Sequence, residues 1–170
     1  MLFANGYELL HDRIDIRAVG QITEKEYSVG GGTALLDAIG RTIHKIGNAQ
    51  RHTADDYRAE KVMFVIITDG EENSSREYSS DKVKEQIEHQ KTKYGWEFIF
   101  LGANIDAVQT AGRFGIAPDR AVDYLADGAG TELNFKVMSA AVASFRETGE
   151  VKEEAFAPIR ADVKKRGGRK

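Results

Sequence analysis

The chain has 170 residues, 41% of them apolar and 30% charged, which suits one folded domain with a hydrophobic core and excludes a disordered or fibrous protein. It has no cysteine, so disulfides, thiolate metal sites and thiol nucleophiles are excluded, and any metal must be held by oxygen or imidazole. Net charge is −3, yet residues 160–170 hold six Lys/Arg against one acid, leaving a body at −8 that offers no electrostatic footprint for nucleic acid.

In chain order, residues 1–16 read as a β-hairpin. Asn5-Gly6 is a dipeptide that tolerates positive φ at both centres of a tight turn, and Leu2, Phe3, Tyr7, Leu9 and Leu10 flank it. A glycine-rich loop follows at residues 28–33, and then Leu35, Leu36, Ile39, Ile43 and Ile46 recur at helical spacing, with Thr33 at the N-cap and Gly47 ending the pattern. Residues 51–60 are a polar connection. Residues 62–68 form a continuous apolar, β-branched run, the pattern of a parallel strand covered on both faces. It stops at the turn pair Asp69-Gly70. A polar loop then leads to a helix at 81–93 with a stripe of Val83, Ile87 and Tyr94.

The alternation repeats with a strand at 96–101, a turn at Gly102-Ala103-Asn104, a short helix at 106–114 closed by Gly115, and a weak strand at 121–125. The last helix is expected at 131–148, with Thr131 as its cap, Gly149 as its terminator, and Leu133, Val137, Met138, Ala141 and Phe145 on one face. The expected fold class is α/β, a mostly parallel sheet with helices on both faces and an N-terminal β-hairpin, forming one domain over residues 1–159 with a basic tail at 160–170. Function in such sheets gathers at the C-terminal ends of the strands, which directs attention to Asp69 and the loop around Asn104. No apolar run approaches the roughly 18 residues of a membrane span and no signal-peptide pattern opens the chain, so a cytoplasmic location is expected.

Two segments carry a resemblance. Gly31-Gly32-Thr33-Ala34-Leu35-Leu36-Asp37-Ala38-Ile39 is followed by Val65-Ile66-Ile67-Thr68-Asp69-Gly70-Glu71-Glu72, and in this order and spacing they resemble the von Willebrand factor A family over about residues 1–125. That resemblance implies a Rossmann-like sheet and a metal-ion-dependent adhesion site built from three loops: an Asp-x-Ser-x-Ser, a Thr in a glycine-rich loop, and an Asp after a later strand. Thr33 and Asp69 match the second and third. The implied cation is Mg²⁺ or Mn²⁺, hard ions that take carboxylate, hydroxyl and water oxygens and keep a position for a partner's carboxylate. The implied function is non-enzymatic, cation-dependent protein binding.

No Asp-x-Ser-x-Ser occurs in the 170 residues. By the resemblance, the family's first strand and helix are then absent too, so the expectation is an N-terminally truncated domain, or one completed by another chain. The absent strand would lie between the strand beginning at Leu2 and that at 62–68, and the open edges predict homo-oligomerisation. Read without the resemblance, Thr33 serves as a helix cap and Asp69 as a turn residue, the pattern of a metal-free scaffold. Glu71 and Glu72 beside Asp69 fit either a solvated acidic rim or the acid/base pair of a metal-assisted hydrolase. The glycines at 30–32 match neither a phosphate loop nor a dinucleotide fingerprint, and His11, His44, His52 and His89 have no ligand spacing.

Overall fold

The computed structural model describes residues 1–23, 25, 26 and 30–167. Part of the expected glycine-rich loop, residues 28 and 29, and the end of the expected tail, 168–170, lie outside them. Three parallel strands form the central sheet in the order β3 (Met63–Thr68), β4 (Glu97–Gly102), β5 (Ala121–Asp123). Met63 pairs with Glu97 and Thr68 with Gly102, while Phe100 pairs with Ala121. The middle strand is the driest: Phe98, Ile99, Phe100 and Leu101 are all buried. An unbroken apolar run is what a strand covered on both faces requires.

The residues of β4 alternate between two cores. On one face, Phe98 and Phe100 pack with Leu35, Ile39 and Ile43 of α1 (Leu35–Arg51), Val83 and Ile87 of α2 (Ser80–Tyr94), and Ala107 and Ala111 of α3 (Ala107–Arg113). On the other, Ile99 and Leu101 pack with Val137, Met138, Ala141 and Phe145 of α4 (Gly128–Thr148) and Ile159 of α5 (Ala157–Arg166). The chain is thus mixed α/β, with a three-stranded parallel sheet between helical layers. A separate antiparallel hairpin, β1 (Leu2–Phe3) and β2 (Tyr7–Glu8), does not join that sheet. Among the described residues, no helix is long and apolar enough to cross a membrane.

Several expectations are corrected. The hairpin is shorter than residues 1–16 and turns differently: Phe3 pairs with Tyr7, leaving Ala4, Asn5 and Gly6 as a three-residue loop in which neither Asn5 nor Gly6 has positive φ. Gly47 does not end α1, because side chains secure the following turn: Thr53 Oγ1 donates to Ala49 O (2.7 Å) and Gln50 Nε2 to Ala59 O (2.8 Å). Tyr94 leaves the stripe of α2 and is 52% exposed. Asp127, not Thr131, caps α4: its carboxylate accepts from Gly130 N (2.7 Å), and Gly149 at φ +83° ends the helix as expected.

The basic segment is also more than a tail, since as far as Arg166 it belongs to α5. Ile159 is buried, the Arg160 guanidinium donates to the carbonyls of Asp119 (3.1 Å) and Ala121 (3.4 Å), and Arg166 pairs with Asp127 and Asp162. These cations are engaged inside the fold. They do not form a free stripe of the kind that tracks phosphates.

Candidate functional site

The loop after β3 reaches the start of α1, and the turn after β4 bonds to the end of β3 through Asn104. Thr33 is not the cap of that helix; Ala34 holds the position and supplies no side-chain bond. The first-turn amides of α1 are satisfied from a loop nearly forty residues away. Leu36 N donates to Glu72 Oε2 (2.8 Å) and Asp37 N to Ser75 Oγ (3.0 Å). Four exposed N–H groups at a helix start need acceptors, and here a carboxylate and a hydroxyl from the loop after β3 provide them.

Glu72 is the centre of this latch. Besides Leu36 N, its carboxylate accepts from Ser74 N (2.9 Å), Ser75 N (2.8 Å) and Ser75 Oγ (2.7 Å). Burial pushes its pKa up, but the amide and hydroxyl donors from Leu36, Ser75 and Ser74 outweigh burial and hold the carboxyl below the ordinary glutamate range. Glu72 is therefore not part of a solvated rim, whereas Glu71 beside it is exposed.

A second carboxylate works in the opposite direction. Asp37, in the first turn of α1, accepts from Arg76 N (2.9 Å), Glu77 N (2.9 Å) and Tyr78 N (2.9 Å), so helix and loop bind each other reciprocally. Asn73 completes the tie: Thr33 N donates to Asn73 Oδ1 (2.8 Å) and Asn73 N to Thr33 O (3.1 Å). The hairpin turn docks on the same loop, with Gly32 N donating to Asn5 Oδ1 (2.6 Å) and Ala34 N to Ala4 O (2.7 Å). A methyl group at Gly32 would meet Ser74 Oγ at 1.9 Å and Asn5 Oδ1 at 2.7 Å, so only glycine lets these segments approach.

Within this frame Thr33 lies beside the turn after β3. A carbon added at Gly70 would lie 3.3 Å from Thr33 Oγ1, which puts the Thr33 hydroxyl against the turn that begins at Asp69. Asp69 is exposed at the end of β3, and its carbonyl accepts from Asn104 Nδ2 (3.3 Å), a residue held at φ +58° in the turn after β4. Among the described residues, neither the Thr33 hydroxyl nor the Asp69 carboxylate has a hydrogen-bond partner. Thr68 closes the turn from below by donating to Gly70 O (2.9 Å). The four histidines are exposed.

The oxygen groups of these loops left without a hydrogen-bond partner among the described residues include the Thr33 hydroxyl and the Asp69 carboxylate. Among the described residues, no three His, Cys, Asp or Glu side chains are grouped to hold a metal. The donors are all oxygen, which fits a hard cation that keeps most of its water. Sequence reasoning singled out Thr33 and Asp69 and missed the bonds of Asn5, Asp37, Asn73 and Glu72 that hold these loops. The available signal was the run Glu72-Asn73-Ser74-Ser75, whose short polar side chains favour local backbone bonding, and an acid in the first turn of α1. The chain matches no family model, no curated protein and no solved structure.

Proposed function

We propose that this chain is a von Willebrand factor A-type domain and acts as a non-enzymatic, divalent-cation-dependent protein-binding module. The observation that supports the reading is that the Thr33 hydroxyl lies against Gly70, the residue after Asp69, on loops held by the Glu72 and Asp37 latches, and that neither this hydroxyl nor the Asp69 carboxylate has a hydrogen-bond partner among the described residues. Thr33 and Asp69 hold Mg²⁺ or Mn²⁺, and the ion supplies a positive charge to which a carboxylate of a protein partner is drawn. With so few protein donors and no Asp-x-Ser-x-Ser, the ion remains largely hydrated and its affinity alone is weak. The latches serve as positioning groups, since they fix the loops in advance and so reduce the ordering cost of binding.

A second reading, a metal-free scaffold, is favoured by the completeness of the same latches, which tie the loops with protein groups alone. Paramagnetic broadening by Mn²⁺ separates the two. In the proposed function, millimolar Mn²⁺ broadens the amide signals of Gly32, Thr33, Asp69 and Gly70, added acetate sharpens the competition for the ion, and Asp69→Ala abolishes the effect while leaving the thermal melt unchanged. Broadening that persists in Asp69→Ala, or that falls on other segments, overturns the cation reading. Micromolar affinity for Mg²⁺ by calorimetry contradicts the claim of a largely hydrated ion.

A further inference from the structure

The turn of the N-terminal hairpin places a reactive amide against the glycine loop. Asn5 precedes Gly6, and both are exposed. Asn5 Oδ1 accepts from Gly32 N (2.6 Å), while neither Asn5 Nδ2 nor Gly6 N donates to any group among the described residues. Gly6 has no side chain to shield its nitrogen, and a Cβ built there would meet no atom within 4 Å. Each of these features favours attack of Gly6 N on the amide carbon of Asn5. The nitrogen is free to lose its proton, and only the deprotonated amide is nucleophilic. The amide oxygen is held by a donor where negative charge develops. The leaving nitrogen is uncommitted. The other asparagines, Asn48, Asn73, Asn104 and Asn134, precede Ala, Ser, Ile and Phe, whose side chains crowd the ring that such an attack closes.

We infer that Asn5 is a site of self-modification, at which the folded chain deamidates and thereby releases its hairpin from the loop of Thr33. Gly6 N gives its proton to hydroxide and bonds to Asn5 Cγ. The Cγ–Nδ2 bond then breaks, and the nitrogen takes a proton from solvent and leaves as ammonia. The product is a succinimide ring, which water opens at either carbonyl with no oxidation or reduction. Cleavage between Cγ and Gly6 N gives aspartate on an unchanged backbone. Cleavage between the main-chain carbonyl carbon of Asn5 and Gly6 N gives isoaspartate, whose main chain runs through Cβ and Cγ and is longer by a methylene. The two products act oppositely on the hairpin. Aspartate keeps an acceptor opposite Gly32 N and adds negative charge, so that tie tightens. In isoaspartate the carboxylate sits directly on Cα, too short to reach Gly32 N, and the longer backbone displaces Ala4 O from Ala34 N, which it meets at 2.7 Å before the change. These are the bonds by which the hairpin turn holds the glycine loop, so ageing of Asn5 to isoaspartate frees that loop. The reaction needs only water and base, so it proceeds with or without a cation at Thr33.

The test ages the purified chain in mildly alkaline buffer and follows every asparagine by peptide mass spectrometry. Asn5 is expected to convert first, with ammonia released in step and a rate that rises with pH. Gly6→Ala is expected to slow the conversion about tenfold or more. That variant keeps the fold, because Gly6 is not at positive φ and its added carbon meets nothing. If Asn5 stays intact in the folded chain and converts only in urea, the fold protects the amide and the proposal is overturned. Amide exchange reads the release. In the isoaspartate form, separated by chromatography, the amides of Gly32 and Ala34 are expected to exchange about tenfold faster or more. In freshly prepared Asn5→Asp they stay as slow as in the parent. Isoaspartate that leaves both amides slow, or Asn5→Asp that frees them equally, overturns the switch. Mass and amide exchange in metal-free buffer are the readouts, so this inference and the cation reading fail separately.

Discussion

Glu72→Ala is the perturbation that most directly tests how the loops are held. The Glu72 carboxylate accepts four hydrogen bonds, from Leu36 N, Ser74 N, Ser75 N and Ser75 Oγ. Bonds to a charged acceptor contribute about 1.5–3 kcal/mol each when sheltered, but Glu72 is only half-buried and water replaces part of what is lost, so the expected total is about 2–4 kcal/mol. For a domain of this size that corresponds to a fall in Tm of roughly 5–12 °C. Glu71→Ala, one residue away and exposed, is expected to change stability by less than about 0.5 kcal/mol. Denaturant unfolding of the two variants beside the parent measures both. Equal effects, or a Glu72→Ala loss below about 0.5 kcal/mol, would refute the latch.

The pH dependence of the same residue has a definite sign. Its folded pKa is lowered, chiefly because the amides of Leu36, Ser75 and Ser74 and the Ser75 hydroxyl outweigh burial. The stability it contributes is therefore complete above the unfolded value of about 4.3 and is lost as pH falls through the lower folded value. The gap in stability between the parent and Glu72→Gln should be full at neutral pH and shrink in acid below that value. A gap that stays constant into acid contradicts the assignment.

The remaining predictions concern close approaches of backbone and side chain. Gly-to-Ala in a helix interior ordinarily stabilises by about 0.5–1 kcal/mol, but at Gly40 a methyl group would lie 2.2 Å from the Tyr78 ring. Gly40→Ala should destabilise by about 1–3 kcal/mol, and in a Tyr78→Ala background the sign should revert, as thermal melts of the double-mutant cycle will show. Gly32→Ala should cost about 1–3 kcal/mol through contact with Ser74, Asn5 and Asn73, and Ser74→Gly should relieve only part of it, because Asn5 Oδ1 and Asn73 Oδ1 remain within 3 Å of the added carbon.

Local pattern determined much of this protein. The apolar run before Asp69, the helical spacing from Leu35 to Ile46, and the short strand–helix alternation specify parallel strands between helices, because burial on both faces demands continuous apolar residues and burial on one face demands a period. They also place Thr33 at the mouth of a helix and Asp69 at a strand end. The helix at Ala157–Arg166 was hidden by its charge: a basic composition reads as a solvated terminus, and only the contacts of Arg160 with the Asp119 and Ala121 carbonyls and of Arg166 with Asp127 show that the charges face the fold. The helix caps were misread for a related reason. Thr33 and Thr131 have the right chemistry at nearly the right positions, yet α1 is capped by Glu72 and Ser75 from the loop after β3 and α4 by Asp127. A helix start needs an acceptor but does not specify its origin in the chain. Which distant carboxylate arrives is decided only when the strands bring the loops together.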